Sequence, residues 1–230
     1  MLQKTRGIVV SFIKYGDTSV IVKIFTREMG LRSYIVNGVR SSSRSNKMAF
    51  YQPLTLLELV VYEKEGKNLQ RISEVKLLRP HQRIPFDFVR SAVAMFMAEV
   101  LGKSVVEGYH NESYYDFLEA AVDQLDSDRA HLSHFPLVFL WEGSKFLGFP
   151  PEDADSFYEE LEPILGVSSQ LQAEKQYLNS LMEASFGFSE KISPIYKKRL
   201  LDHFLTYYAK HLEIYPEWKS VEVLRQLMQG

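Results

Sequence analysis

The residues of this 230-residue chain whose types and spacing could do chemistry are cations set among small polar side chains. The segment Gly38-Val39-Arg40-Ser41-Ser42-Ser43-Arg44-Ser45-Asn46-Lys47 places Arg40, Arg44 and Lys47 together with no acid between them. Arginine and lysine neutralise phosphates and release counterions, while serine and asparagine hydrogen-bond phosphate oxygens. Arg27 and Arg32 flank a turn upstream and extend the field, joined by Lys4, Arg6, Lys14 and Lys23. Serine-rich basic loops also occur as plain solvated surface, so the pattern leaves both readings open. Gripping a single strand needs, in addition, aromatic faces on which bases stack. Residues 1–79 supply Phe12, Tyr15, Phe25, Tyr34, Phe50, Tyr51 and Tyr62. Most of these must fill the core of a small domain. Tyr15, in a turn, and Phe50 or Tyr51, beside the basic loop, are the ones expected at the surface.

Other chemistries find little support. Of six histidines only His131 and His134 stand close, at i, i+3, and two imidazoles still need a third and fourth ligand. Asp126 and Asp128 lie upstream, and nothing marks them as ligands. The chain has no cysteine, which excludes disulfides, thiolate metal sites and a cysteine nucleophile. It has no Gly-x-Ser-x-Gly, no P-loop and no Gly-x-Gly-x-x-Gly. Acidic pairs such as Glu159-Glu160 sit in a solvated stretch. The expectation is a binding protein that is not an enzyme and needs no cofactor or metal.

Two periodicities divide the chain that must position these residues. Up to about residue 79 the apolar runs are short and β-rich: Gly7–Ile13, Ser19–Thr26, Leu31–Asn37, Leu54–Tyr62 and Leu69–Leu78. Turn residues punctuate them, and one connection, Gly38 to about Gln52, is long. Five short strands with a long connection between the third and fourth predict an OB-fold barrel. After Pro80 the period becomes helical. Val89, Val93, Phe96, Met97, Val100 and Leu101 form one stripe. Tyr114, Phe117, Leu118, Ala121, Val122 and Leu125 form another, with Asn111 as its N-cap. Phe135 to Leu147 is apolar nearly all round and predicts a buried central helix. Ser193-Pro194 opens a further helix, and a last one follows Ser220. Phe149 to about Gln170 reads as an acidic, proline-interrupted loop or short helical excursion.

Charge changes where the period changes. Residues 1–79 hold 14 Lys+Arg against 6 Asp+Glu, and residues 80–230 hold 13 against 23. The fold class is therefore α+β in two domains: a basic OB-fold over 1–79 and an acidic, all-α helical domain over 80–230. Such a split suits a polyanion-binding module joined to one that need not bind polyanions. The N-terminus lacks the apolar core of a signal peptide, and no stretch approaches a membrane span, so no membrane association is expected.

Several segments resemble the RecO family of recombination mediators. These are Thr5-Arg6-Gly7-Ile8-Val9, Tyr15-Gly16-Asp17-Thr18-Ser19, Phe25-Thr26-Arg27-Glu28-Met29-Gly30-Leu31, Gly38-Val39-Arg40-Ser41 and Gln52-Pro53-Leu54-Thr55-Leu56-Leu57-Glu58-Leu59. Farther on, Phe146-Leu147-Gly148-Phe149-Pro150, Lys198-Arg199-Leu200-Leu201 and Lys219-Ser220 with Glu222-Val223-Leu224 are similar to its later helices. The resemblance implies an OB-fold that binds single- and double-stranded DNA, annealing of complementary strands, and work in the RecFOR pathway. It implies RecR and the acidic tail of single-stranded-DNA-binding protein as partners in loading RecA. It also implies a cytoplasmic, nucleoid-associated protein. Arg40, Arg44, Lys47 and Arg27 match basic positions of the family; Arg32 and Tyr15 complete the expected DNA-binding set. Lys103, Lys198 and Arg199 are the expected partner-binding cations. Many family members carry a four-cysteine zinc module after the Leu-Gly-Phe-Pro-like segment. Here Glu152 to about Val167 has neither cysteine nor histidine, so packing of Phe157, Tyr158, Leu161 and Ile164 is expected instead. The alternative is an adaptor whose barrel docks a protein partner rather than DNA.

Overall fold

The computed structural model describes residues 1–39, 42–64, 66–165, 171–215 and 217–227, and the side chains of all of these but 42–46, 171 and 227. They form two compact units, Met1–Asp126 and Ser127–Gly230.

In the first unit five strands close into a barrel: β1 Leu2–Tyr15, β2 Ser19–Thr26, β3 Gly30–Val36, β4 Leu56–Tyr62 and β5 Leu69–Leu77. Their order around the barrel is β1-β2-β3-β5-β4, with only β3 and β5 parallel. This is the OB-fold plan. The first strand pairs with β4 through Leu2–Ile8 and with β2 through Gly7–Tyr15. An irregularity at Val9/Ser11 lets it bend from one partner to the other. Alternation sets the inside: Val20, Val22 and Ile24 from β2 meet Leu57, Leu59 and Val61 from β4 around Tyr34.

The long connection is more ordered than a loop. It contains a 3-10 helix, Ser42–Tyr51, from which Tyr51 enters the barrel core with Met48 and Phe50 packed against it. Tyr51 is 2% exposed and Phe50 is half-buried, so of the two aromatics of which one was expected at the surface beside the basic segment, Tyr51 is excluded. A small barrel needs a large side chain to close its interior, and burial outweighs proximity to charge. The same burial pushes the Tyr51 phenol up to about 12.

Two helices complete this unit, α1 Phe88–Ser104 and α2 Glu112–Leu125. Asn111 caps α2 as expected, its side chain accepting from the Tyr114 amide at 3.0 Å. Tyr114 and Tyr115 bury their rings against Phe25 of β2, centroids 5.9 and 6.2 Å apart. Leu31 N–H donates to the Tyr109 carbonyl at 3.0 Å, so the α1–α2 connection is bonded to the start of β3. Gly30 permits this: its φ is +71°, and a Cβ there would sit 2.0 Å from the Tyr109 oxygen. Strand gives way to helix near residue 80, yet α1 and α2 pack with the barrel and the compact units part only after Asp126.

The second unit holds α3 Phe135–Leu147, α4 Ala154–Leu165, α5 Leu171–Ala184, α6 Pro194–His211 and α7 Lys219–Leu227. As expected, α3 is buried nearly all round and ends at Gly148, whose φ of +90° supplies a left-handed cap. Of the two readings of the stretch from Phe149, loop or short helical excursion, the described residues show the helix, α4. Ala154, Phe157, Tyr158 and Leu161 form a buried stripe, and Asp153 caps α4 by accepting from the Ser156 amide at 2.8 Å. Three of the four residues expected to pack there do so, but Ile164 is 55% exposed beyond Pro163. The helix α5 has no counterpart in the sequence reading. Its Tyr177, Leu178 and Leu181 are buried among otherwise polar neighbours. Among the described residues no helix is long and apolar enough to cross a membrane.

Candidate nucleic-acid interface

The barrel's arginines divide by what faces them. Glu112, Asp116, Glu119 and Asp123 recur along α2 at i, i+4, i+7 and i+11, one stripe of carboxylates beside the barrel. Arg27 is forked onto Asp116, with Nε to Oδ1 at 2.8 Å and Nη2 to Oδ2 at 3.0 Å, and its Nη1 reaches Glu112 at 2.8 Å. Arg6 bonds Glu119 at 3.1 Å and lies over the Tyr115 ring. Arg79 bonds Asp123 through Nε at 2.7 Å and Glu119 through Nη2 at 2.9 Å. The hydrogen bond to Asp116 raises the Arg27 guanidinium above its usual range and holds the Asp116 carboxyl below its own. Arg32 is paired within the barrel, its Nε 3.3 Å from Glu63. Arg27 and Arg32, two of the residues expected to hold DNA, thus have their charge met by acids of the same unit. Counted to Asp126, the first unit carries 17 Lys+Arg against 14 Asp+Glu, a much smaller excess than residues 1–79 alone.

A different set of cations is left open. Lys47, Lys64, Lys67, Arg71 and Lys76 are exposed and have no carboxylate partner among the described residues. They line two hollows, of about 570 and 560 Å³, that share Ile35 and Arg71. Lys47, Arg71 and Lys76 belong to the first hollow, along β3, β5 and the 3-10 helix. Lys64, Lys67 and Arg71 belong to the second, beside the β4–β5 turn. Register explains the meeting: Ile35 of β3 pairs with Arg71 of β5, which pairs with Tyr62 of β4. Directly paired residues point to the same face, so these three form an outward row across the barrel.

Of the residues expected from sequence, Lys47 lies in this region. Arg40 and the side chain of Arg44 fall outside the described residues. Tyr15, at the end of β1 beside Lys14, is 51% exposed. Sequence reading passed over Lys64, Lys67, Arg71 and Lys76. Only their position on β5 and its turn distinguishes them. Among the expected partner cations, Lys103 pairs with Glu99 on α1 at 3.4 Å. Arg199 is turned onto fully buried Glu174 at 3.1 Å, while Lys198 is exposed. Burial raises the Glu174 carboxyl despite the Tyr158 hydroxyl donating to it at 2.9 Å. His134 shares a 2.7 Å hydrogen bond with the Tyr177 hydroxyl, and burial lowers its imidazole to about 4. Among the described residues no three His, Asp or Glu side chains are grouped to hold a metal ion. With no cysteine in the chain, the residues present do not fit a four-cysteine zinc module.

Comparison with known proteins adds sequence kinship to this geometry. Residues 1–81 match the family model described as "Recombination protein O N terminal", and residues 85–155 match "Recombination protein O C terminal". Among curated relatives, "DNA repair protein RecO" of Flavobacterium psychrophilum is 36% identical over 97% of this chain and 98% of its own. The protein of the same description from Phocaeicola vulgatus is 35% identical over 99% of both chains. That of Flavobacterium johnsoniae is 33% identical over 97% of this chain and 98% of its own.

Proposed function

Because this chain belongs to the RecO family of DNA repair proteins, we propose that its barrel grips DNA on the β3–β5 side and acts by binding, with no bond-making step. The observation that carries this reading is the division of the cations. Those facing α2 are neutralised by its carboxylates, whereas Lys47, Lys64, Lys67, Arg71 and Lys76 converge unpaired on adjoining hollows. Arg40 and Arg44, close to Lys47 in sequence, add to the same grip. The contacts are to phosphate, so binding is nearly independent of sequence and falls with salt. Two complementary strands held on one basic surface repel each other less, which favours annealing without nucleotide hydrolysis. In this reading the helices engage RecR and the acidic tail of single-stranded-DNA-binding protein, with Lys198 as the most accessible of the expected partner cations, and the assembly loads RecA. A protein-docking role has its own support in Phe86, Phe88 and Met95, which are 84%, 71% and 59% exposed in and around α1.

Titration of a fluorescent single-stranded oligonucleotide at several salt concentrations tests the grip. For single strands each lost phosphate contact lowers the salt slope by about 0.7, so Lys47→Ala/Arg71→Ala/Lys76→Ala should lower it by about 2. Arg27→Ala should leave the slope near that of the wild type. A triple variant with the wild-type slope, or a wild type that binds no oligonucleotide at low salt, overturns this function.

A further inference from the structure

We infer that the hollow beside the β4–β5 turn is a seat for one unpaired base, stacked on Tyr62 with its flanking phosphates on Lys64, Lys67 and Arg71. The inference rests on the DNA-binding reading above and narrows its ligand from DNA in general to an unstacked nucleotide. Four features lead to it. Tyr62 is 44% exposed, and no other aromatic ring lies against it among the described residues. Its exposure is set by the fold. Alternation along β4 turns Val61 inward and Tyr62 outward, and a register shift that leaves Ser73 of β5 unpaired brings Arg71 opposite Tyr62.

The hollow beside it, about 560 Å³, lies within the roughly 300–1,000 Å³ typical of small-ligand sites. Its walls combine Ile35, Tyr62 and Leu69 with three cations, an apolar floor for a base and a charged rim for its phosphates.

The rim is also held in place. Gln70 is buried, and its amide is used fully on the turn. Its Oε1 accepts from Lys64 N–H at 3.0 Å, and its Nε2 donates to the carbonyls of Lys64 and Lys67 at 2.9 and 2.8 Å. The backbone groups of Lys64 and Lys67 are thereby tied to Gln70 before any ligand arrives, which reduces the ordering cost of binding. A duplex can place phosphates on these cations, but its bases are stacked on one another and cannot reach the ring. The site should distinguish single strands from double.

The test uses the full chain with three ligands: an oligo(dT), an abasic strand of equal length and a blunt duplex. Tyr62→Leu should weaken oligo(dT) binding roughly 5- to 150-fold and leave the other two within about twofold, while Tyr62→Phe keeps the wild-type preference. Equal loss on all three ligands, or no loss on oligo(dT), overturns the seat while leaving the phosphate grip standing. Should Tyr62→Leu fail to fold, Tyr62→Trp supplies a second readout. Its added fluorescence, over that of the 2 native tryptophans, should be quenched by oligo(dT) and not by the abasic strand. Absence of that difference also overturns the seat. Loss of all DNA binding by the wild type would instead fail the reading on which the seat rests.

Discussion

Asp126 gives the sharpest prediction about how the barrel is joined to its helices. A carboxylate at the C-terminal end of α2 is disfavoured by the helix dipole, so its position needs an explanation. The explanation is the turn after the barrel. Asp126 accepts backbone hydrogen bonds from Gln82 at 2.6 Å, Arg83 at 2.8 Å and Ile84 at 2.8 Å. Burial pushes this carboxyl up, but the three amides outweigh it and hold it below the usual range. Replacing Asp126 with alanine orphans three donors. Gln82 is exposed and its amide can turn to water, which leaves the amides of Arg83 and buried Ile84. At about 1–2 kcal/mol for each unmet donor, Asp126→Ala should cost roughly 2–4 kcal/mol. For a unit of 126 residues the unfolding entropy makes that roughly 8–15 °C in melting temperature. Asp126→Asn, which keeps one acceptor oxygen, should cost less. The pH dependence follows from the depressed folded value. The charged form stabilises the fold above the ordinary aspartate pKa, and this stability is lost as pH falls through the folded value. The gap between wild type and Asp126→Asn, read by urea unfolding, should therefore be widest near neutrality and close on acidification. A gap under about 0.5 kcal/mol at neutral pH, the scale of an ordinary surface substitution, or one that does not narrow in acid, would refute the three-amide account.

Two further outcomes follow from the same reasoning. Gly30→Ala places a Cβ against the Tyr109 oxygen at a left-handed φ, and should cost at least about 2 kcal/mol with loss of the Leu31–Tyr109 hydrogen bond, read by amide exchange at Leu31. His134 is buried neutral with its imidazole lowered to about 4 from an ordinary 6.5. The unfolded chain takes up that proton first, so stability falls as pH drops from about 6.5 to about 4. The fall should be smaller in His134→Gln, as measured by denaturant unfolding at the two ends of this window.

Much of the fold was legible because its signals are local. Strands β1 to β5 alternate within a few residues, and α1, α2, α3, α6 and α7 carry apolar stripes or caps that neighbouring residues suffice to reveal. Two helices of the second unit were not legible in the same way. The stripe Ala154, Phe157, Tyr158 and Leu161 has helical spacing, but Pro150, Pro151 and Pro163 surround it and suggested a break. Among the described side chains of α5 only Tyr177, Leu178 and Leu181 are apolar and buried, and the helix depends on neighbours that sequence does not name. For the candidate site, residue types were legible and their pairing was not. The carboxylate that holds Arg27 lies 89 residues away, and the one that holds Arg32 lies 31 away.

By itself, the amino-acid sequence determined that this chain makes a small basic barrel followed by helices, that it lacks thiolate chemistry, and that it resembles RecO proteins. Periodicity, composition and motif order are properties of neighbouring residues, so no folding is needed to read them. Tertiary structure decided which cations remain available. It brought the carboxylates of α2 onto Arg6, Arg27 and Arg79, drew Tyr51 inside and turned Tyr62 out beside Arg71. A charge acts through whatever stands a few ångströms away, and in a closed barrel those neighbours come from strands and helices far apart in the chain.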